Sequence, residues 1–201
     1  MTHDYRSGPL ERGPRSGFTK HSGEIRYIVI HYLWSRIDTD WPMSKVARMH
    51  ERENGWNGPG YHYLIRRDGS LEYGRPEWAR GAHVRGHNDR SIGVAFEGGR
   101  IPGDNENGHD TRTQEQRDRM NHLVGALKAK YPNAQVAGHR DLTATQCPGF
   151  DAKAWWTKAK AKPAPEGAKP IDGDKGLDDP RGLIAVIGAA LVGAFLWIRG
   201  R

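Results

Sequence analysis

IRYIVIHYLW, residues 25–34, is the stretch on which the fold turns. It is rich in Ile, Tyr and Val, and such a run reads as a buried strand. Its seventh residue, His31, is then carried by a strand toward a sheet edge. Outward from this run, SKVARMHEREN (44–54) reads as a short helix, with Ser44 as N-cap and Gly55 as its stop. YHYLIRRDGSLEYGR (61–75) holds two strand-like runs around Asp68-Gly69, a strong hairpin signal. SIGVAFEGG (91–99) has strand character and is ended by paired glycines.

Further along, TQEQRDRMNHLVGALKAKYP (113–132) carries the clearest helical pattern. Thr113 and Gln116 fit a capping box. Met120, Leu123, Val124, Leu127 and Tyr131 trace one apolar face. Lys128 and Lys130 sit where the helix dipole favours cations, and Pro132 ends the run. AQVAG (134–138) reads as a strand delivering His139, and DAKAWW (151–156) as a closing helical turn. Alternating strands and helices predict an α/β fold, a central mixed sheet with helices on its faces.

The chain has 201 residues and a net charge of +7, which favours anionic partners. Nucleic acid, acidic lipid and an anionic wall polymer all satisfy that charge, but no nucleic-acid motif is present, so nucleic acid is not expected as a partner. A single cysteine, Cys147, excludes an internal disulfide framework. It lies in AGHRDLTATQCPGFD (137–151), among polar and turn-forming residues, eight positions after His139. A structural cysteine prefers apolar neighbours, so a metal-ligand role is the sharper reading. A catalytic zinc site takes three protein ligands and keeps a fourth position open. Cys147 and His139 supply two, and His31 is a third candidate. On spacing alone His50, His62 and His83 compete with it.

IVIHY, NGWNGPGYHYLIRRDGSLEYGR, GAHVRGHNDRSIGVAFEGG and GHRDLTATQCPGFD, in this order, resemble the motifs of the zinc-dependent N-acetylmuramoyl-L-alanine amidases. That family includes small phage lysozyme-amidases and animal peptidoglycan recognition proteins. The resemblance spans residues 25–157. It implies a central mixed β-sheet flanked by helices, with a Zn2+ cleft on one face. It makes His31, His139 and Cys147 the zinc ligands and Tyr61 the catalytic tyrosine. Asp141 is either a partner behind the ligands or a turn-former. It places His83 near the substrate groove; the neighbouring His87, Asn88 and Arg90 are read either as contacts for glycan or peptide or as solvated loop residues. Thr145 stands where phage members commonly carry lysine; competent recognition proteins tolerate threonine there, and Thr145 is assigned to orienting the water or the carbonyl. Ala95 stands where recycling-type amidases carry glutamate, and Glu97, two residues on, is not expected to act as a base.

The implied activity is hydrolysis of the amide joining N-acetylmuramic acid to L-alanine in peptidoglycan, as a phage or prophage endolysin. The alternative is a non-catalytic peptidoglycan-binding module of the same fold. Outside the domain, residues 1–24 read as a flexible basic lead-in without the apolar run of a signal peptide. Residues 158–180 have the Lys, Pro, Ala and Gly composition of a linker. Residues 182–198, GLIAVIGAALVGAFLWI, hold no charge and are flanked by Arg181, Arg199 and Arg201. Within the segment 181–201 they predict a C-terminal transmembrane or membrane-associated helix that touches lipid. The expected location is synthesis in the cytoplasm, anchorage at the membrane and action on the cell wall.

Overall fold

The computed structural model describes residues 3–10, 12–13 and 17–159. The predicted central strand is present as β1 (Tyr27–Tyr32). Ile28, Val29 and Ile30 have no solvent exposure at all, and His31 has 1%. β3 (Tyr63–Ile65), β4 (Leu71–Tyr73), β5 (Ser91–Phe96) and β7 (Gln135–Gly138) complete a five-stranded sheet in the order β4-β3-β5-β1-β7. β1 pairs in parallel with both β5 and β7, β3 runs parallel to β5, and β4 is antiparallel to β3. β2 (Ser35–Arg36) and β6 (Gly99–Arg100) form a small parallel ribbon beyond the ends of β1 and β5. The mixed sheet flanked by helices is the architecture expected from the sequence.

The pleat sorts side chains onto two faces. Ile28, Ile30 and Tyr32 of β1 join Ile92, Val94 and Phe96 of β5 under helix α2 (Gln114–Lys130), which contributes Met120, Leu123, Val124 and Leu127. Fully burying aliphatic side chains of this size stabilises by about 1.5–3 kcal/mol each. The alternate positions face helix α1 (Met43–Asn54), where Met43 and Val46 pack on Leu64 and Ala95. His31, in register with Ala95, belongs to this second face.

α2 starts at the predicted capping box. Thr113 Oγ1 accepts the Gln116 N–H at 3.1 Å and Gln116 Oε1 accepts the Thr113 N–H at 3.1 Å, an arrangement worth about 1 kcal/mol. At its other end Lys128 Nζ donates to the carbonyls of Pro132 and Ala134.

α1 differs from expectation at its start. Its N-cap is Pro42, in extended conformation, and Ser44 lies inside the first turn without capping it. The carboxylate of Glu72, from β4, accepts the Met43 N–H at 2.5 Å instead. A negative charge at a helix N-terminus is favourable, and here it arrives from another element. Glu72 and Glu97 are both bonded to the buried guanidinium of Arg66, at 2.8 and 2.9 Å. Glu97 Oε1 also accepts the Trp41 N–H at 2.7 Å. Glu97 thus ties the segment entering α1 to Arg66. Gly55 ends α1 at φ 66° and returns its N–H to the His50 carbonyl.

The predicted hairpin pairs Tyr63 with Tyr73 and Ile65 with Leu71, and its turn is closed by Arg66 N–H to Ser70 O at 2.9 Å. Within the segment 1–24, expected as a flexible lead-in, Tyr5 and Leu10 lie against the β4 edge. Tyr73 donates its N–H to Tyr5 O at 2.7 Å, and Leu10 donates to Gly74 O at 2.8 Å. An edge strand offers unpaired backbone groups, and this segment satisfies them. Helix α3 (Ala152–Ala159) packs Trp155 and Trp156 on the α2-side core and runs two residues past the expected domain end at Thr157. Of the linker expected at 158–180, Lys158 and Ala159 are in α3, and the rest, like the apolar run 182–198, lies outside the described residues. Among the described residues no helix is long and apolar enough to cross a membrane.

Candidate metal centre

Three chain segments converge where β1 and β7 end. β1 brings His31. β7 passes into a single helical turn that begins at His139 (His139–Asp141). Asp141 Oδ2 accepts the Gly138 N–H at 2.8 Å and so holds the turn, the turn-former role of the two considered for it. The chain then loops back, and Arg140 N–H donates to Cys147 O at 2.7 Å. That bond closes the loop and folds Cys147 inward to 4% exposure. Its polar sequence neighbours stay outside, with Thr145 and Gln146 exposed.

The donor atoms of His31, His139 and Cys147 lie within 4.8 Å of one another. Cys147 Sγ is 3.7 Å from His31 Nδ1, and the two imidazole centroids are 4.7 Å apart. Nitrogen and sulfur ligands on one tetrahedral zinc are about 3.5 Å apart, from metal–ligand bonds near 2.0–2.3 Å. The donor set and its spacing therefore fit that ion.

Electrostatics point the same way. Burial, and then the neighbouring His139, push the His31 pKa well below the ordinary imidazole value. Burial also lowers that of His139. Both rings are neutral and offer lone pairs. Burial pushes the Cys147 thiol up to about 12, opposed by the Tyr32 N–H that donates to Sγ at 3.3 Å. A buried thiol among neutral groups ionises when a cation supplies the missing charge.

The cluster opens into a cleft of about 740 Å³ whose wall includes Tyr61, Trp34, Thr145 and Gln146. Tyr61 rests its ring 5.2 Å from that of His31 and 5.7 Å from that of His50. Burial raises its phenol pKa, with Cys147 and Tyr32 acting in the same direction, so the hydroxyl stays protonated. Thr145 Oγ1 accepts the Cys147 N–H at 3.3 Å.

Five of the residues singled out from sequence thus share one cleft: His31, Tyr61, His139, Thr145 and Cys147. The other three are placed elsewhere. His83 is buried behind His31, away from the cleft wall. Asn88 uses its side-chain oxygen to accept the N–H groups of His83 and Val84, at 2.8 Å each. Arg90 pairs with Asp89 at 3.8 Å and gives its main-chain carbonyl to Arg26. Sequence position put these residues near the site, but their side chains or main chain are engaged in holding the loop. The competing histidines are also accounted for. His62 donates to Ala79 O and accepts the Gly93 N–H, both at 2.9 Å, and His50 Nδ1 accepts the Gly60 N–H at 3.0 Å.

Sequence reasoning missed Trp34. It has φ 60°, the one positive value outside glycine among the described residues. For a bulky residue that conformation is strained. Its indole is held by the Tyr32 ring at 5.3 Å and the Arg100 guanidinium at 5.6 Å, at the cleft wall.

Residues 21–150 match the N-acetylmuramoyl-L-alanine amidase family. The chain is 38% identical over 141 residues to the endolysin of Klebsiella phage KP32, covering 70% of this chain and 91% of that one. It is 38% identical over 132 residues to the endolysin of Escherichia phage T7, covering 65% and 85%. Among solved structures, the N-acetylmuramoyl-L-alanine amidase LysC from Clostridium intestinale URNW superposes with a TM-score of 0.55 at 30% identity, over 72% of this chain and 91% of that one. With the fold, the cleft and these likenesses in agreement, the chain belongs to the N-acetylmuramoyl-L-alanine amidase family.

Proposed function

We propose that this chain is an endolysin-type amidase that uses zinc to hydrolyse the amide between the lactyl group of N-acetylmuramic acid and L-alanine. The observation that carries the reading is the His31–His139–Cys147 donor set, within 4.8 Å, at the floor of a cleft shared with Tyr61 and Thr145. His31, His139 and Cys147 would hold the metal. Zinc, when bound, supplies Lewis acidity and brings the pKa of water toward neutrality. Tyr61 donates its hydroxyl to the amide oxygen as negative charge develops there. Thr145, exposed on the wall, orients the water or the carbonyl. The complete donor set favours an enzyme over a binding module of the same fold, which needs no metal. The +7 charge suits an anionic wall polymer.

Residues 25–157 carry this activity in our reading. We assign membrane association to the uncharged run 182–198 on its sequence alone; a full-length chain that stays in the soluble fraction removes that assignment. The activity is tested by digesting purified cell wall. New L-alanine amino termini together with free muramyl lactyl groups are expected. Release of reducing sugar ends, or of other amino termini alone, would overturn the reading.

A further inference from the structure

His83 comes from a loop, yet it is 8% exposed. Its imidazole lies over β5 where Gly93 stands. A Cβ at Gly93 would come within 2.7 Å of the ring, and one at Gly81 within 2.4 Å. Glycine inside a central strand weakens it and marks a close approach. Here the group that approaches is the His83 ring.

The ring's bonds form a chain with one consistent polarity. Ser91 Oγ lies 2.8 Å from the His87 carbonyl oxygen, which can only accept, so the hydroxyl donates to it. The Ser91 oxygen is then the acceptor for His83 Nε2–H at 3.3 Å. A neutral imidazole carries one N–H, so His83 Nδ1 is bare. It accepts the His31 Nε2–H across 3.0 Å. His31 Nδ1 is left as a lone pair, and it is the atom that faces Cys147 Sγ.

We propose that His83 is a positioning residue that locks His31 in the tautomer presenting Nδ1 to the metal, through a relay running His31–His83–Ser91–His87 O. This rests on the metal-binding reading of the site. Reversed, the relay would leave a proton on Nδ1 that has to be expelled before coordination. Partners behind a ligating histidine typically change metal affinity by about 10–100-fold.

Two measurements test it. The first uses unaltered metal-free protein: long-range nitrogen–proton NMR of the histidines, in which His31 is expected to carry its proton on Nε2. A proton on Nδ1 overturns the proposal, and this result needs no variant to fold. The second is zinc affinity by competition with a chromophoric chelator. His83→Leu is expected to bind about 10–100-fold more weakly. His83→Gln, whose amide oxygen can accept the same N–H, is expected to recover most of the loss. Gly93→Ala, which crowds the ring and leaves all three ligands in place, is expected to resemble His83→Leu. Zinc binding by His83→Leu as tight as by the parent protein overturns the proposal. Failure of the parent protein to bind zinc refutes the functional reading instead, and the NMR spectrum of the metal-free protein then decides the direction of the relay by itself.

Discussion

Cys147→Ala is expected to lose cell-wall amidase activity by more than about 100-fold, the upper end of what is lost when only a residue behind a metal ligand is removed. The sulfur is the soft member of the donor set and sits 3.7 Å from His31 Nδ1. Removing it leaves two imidazoles, which cannot hold zinc in a three-ligand site. The side chain is small, so the cavity is small, although the Tyr32 N–H loses its acceptor. Zinc content after dialysis should fall from near one per chain to near zero, while the far-UV circular dichroism stays that of the parent. Treating the parent protein with EDTA should give the same inactive state, reversed by added zinc. Undiminished activity in Cys147→Ala with zinc retained would end the case for this metal centre.

Much of this site is legible in the sequence, for reasons that can be named. β1 and the capping box of α2 are written in local sequence, the first in a β-branched run and the second in Thr113 and Gln116. The His31, His139 and Cys147 cluster is legible through family motifs more than through spacing, since His50, His62 and His83 offer similar spacing. What is not legible depends on groups distant in the chain. The carboxylate that caps α1 comes from residue 72, so Ser44 looks like the cap when only its neighbours are considered. Tyr5 and Leu10 are held by backbone bonds at the β4 edge, which the composition around them does not encode. For His83, a loop position gives no direction to the side chain; Gly81 and Gly93 determine it by leaving room. Cys147 looks out of place among polar residues when burial is judged from sequence neighbours. The Arg140–Cys147 bond separates the thiol from them. Trp34 carries no sequence signal for its positive φ.

Tyr61→Phe is expected to lower kcat by about 100–1,000-fold, the range found when one donor to a developing oxyanion is removed. The substitution keeps the ring that packs beside His31 and His50 and deletes only the hydroxyl. Stability and zinc affinity should therefore stay close to those of the parent, which separates this variant from Cys147→Ala. The predicted signature is a fall in kcat with KM changed little, because a neutral amide oxygen gains much less from the hydroxyl than the charged oxygen that follows. Burial favours the protonated phenol, so the donor is already in the state that transition-state charge requires. If Tyr61 served only to pack the cleft, phenylalanine would serve as well and kcat would hold. A raised KM at constant kcat would instead make it a substrate contact, and the oxyanion role would pass to another donor on the cleft wall.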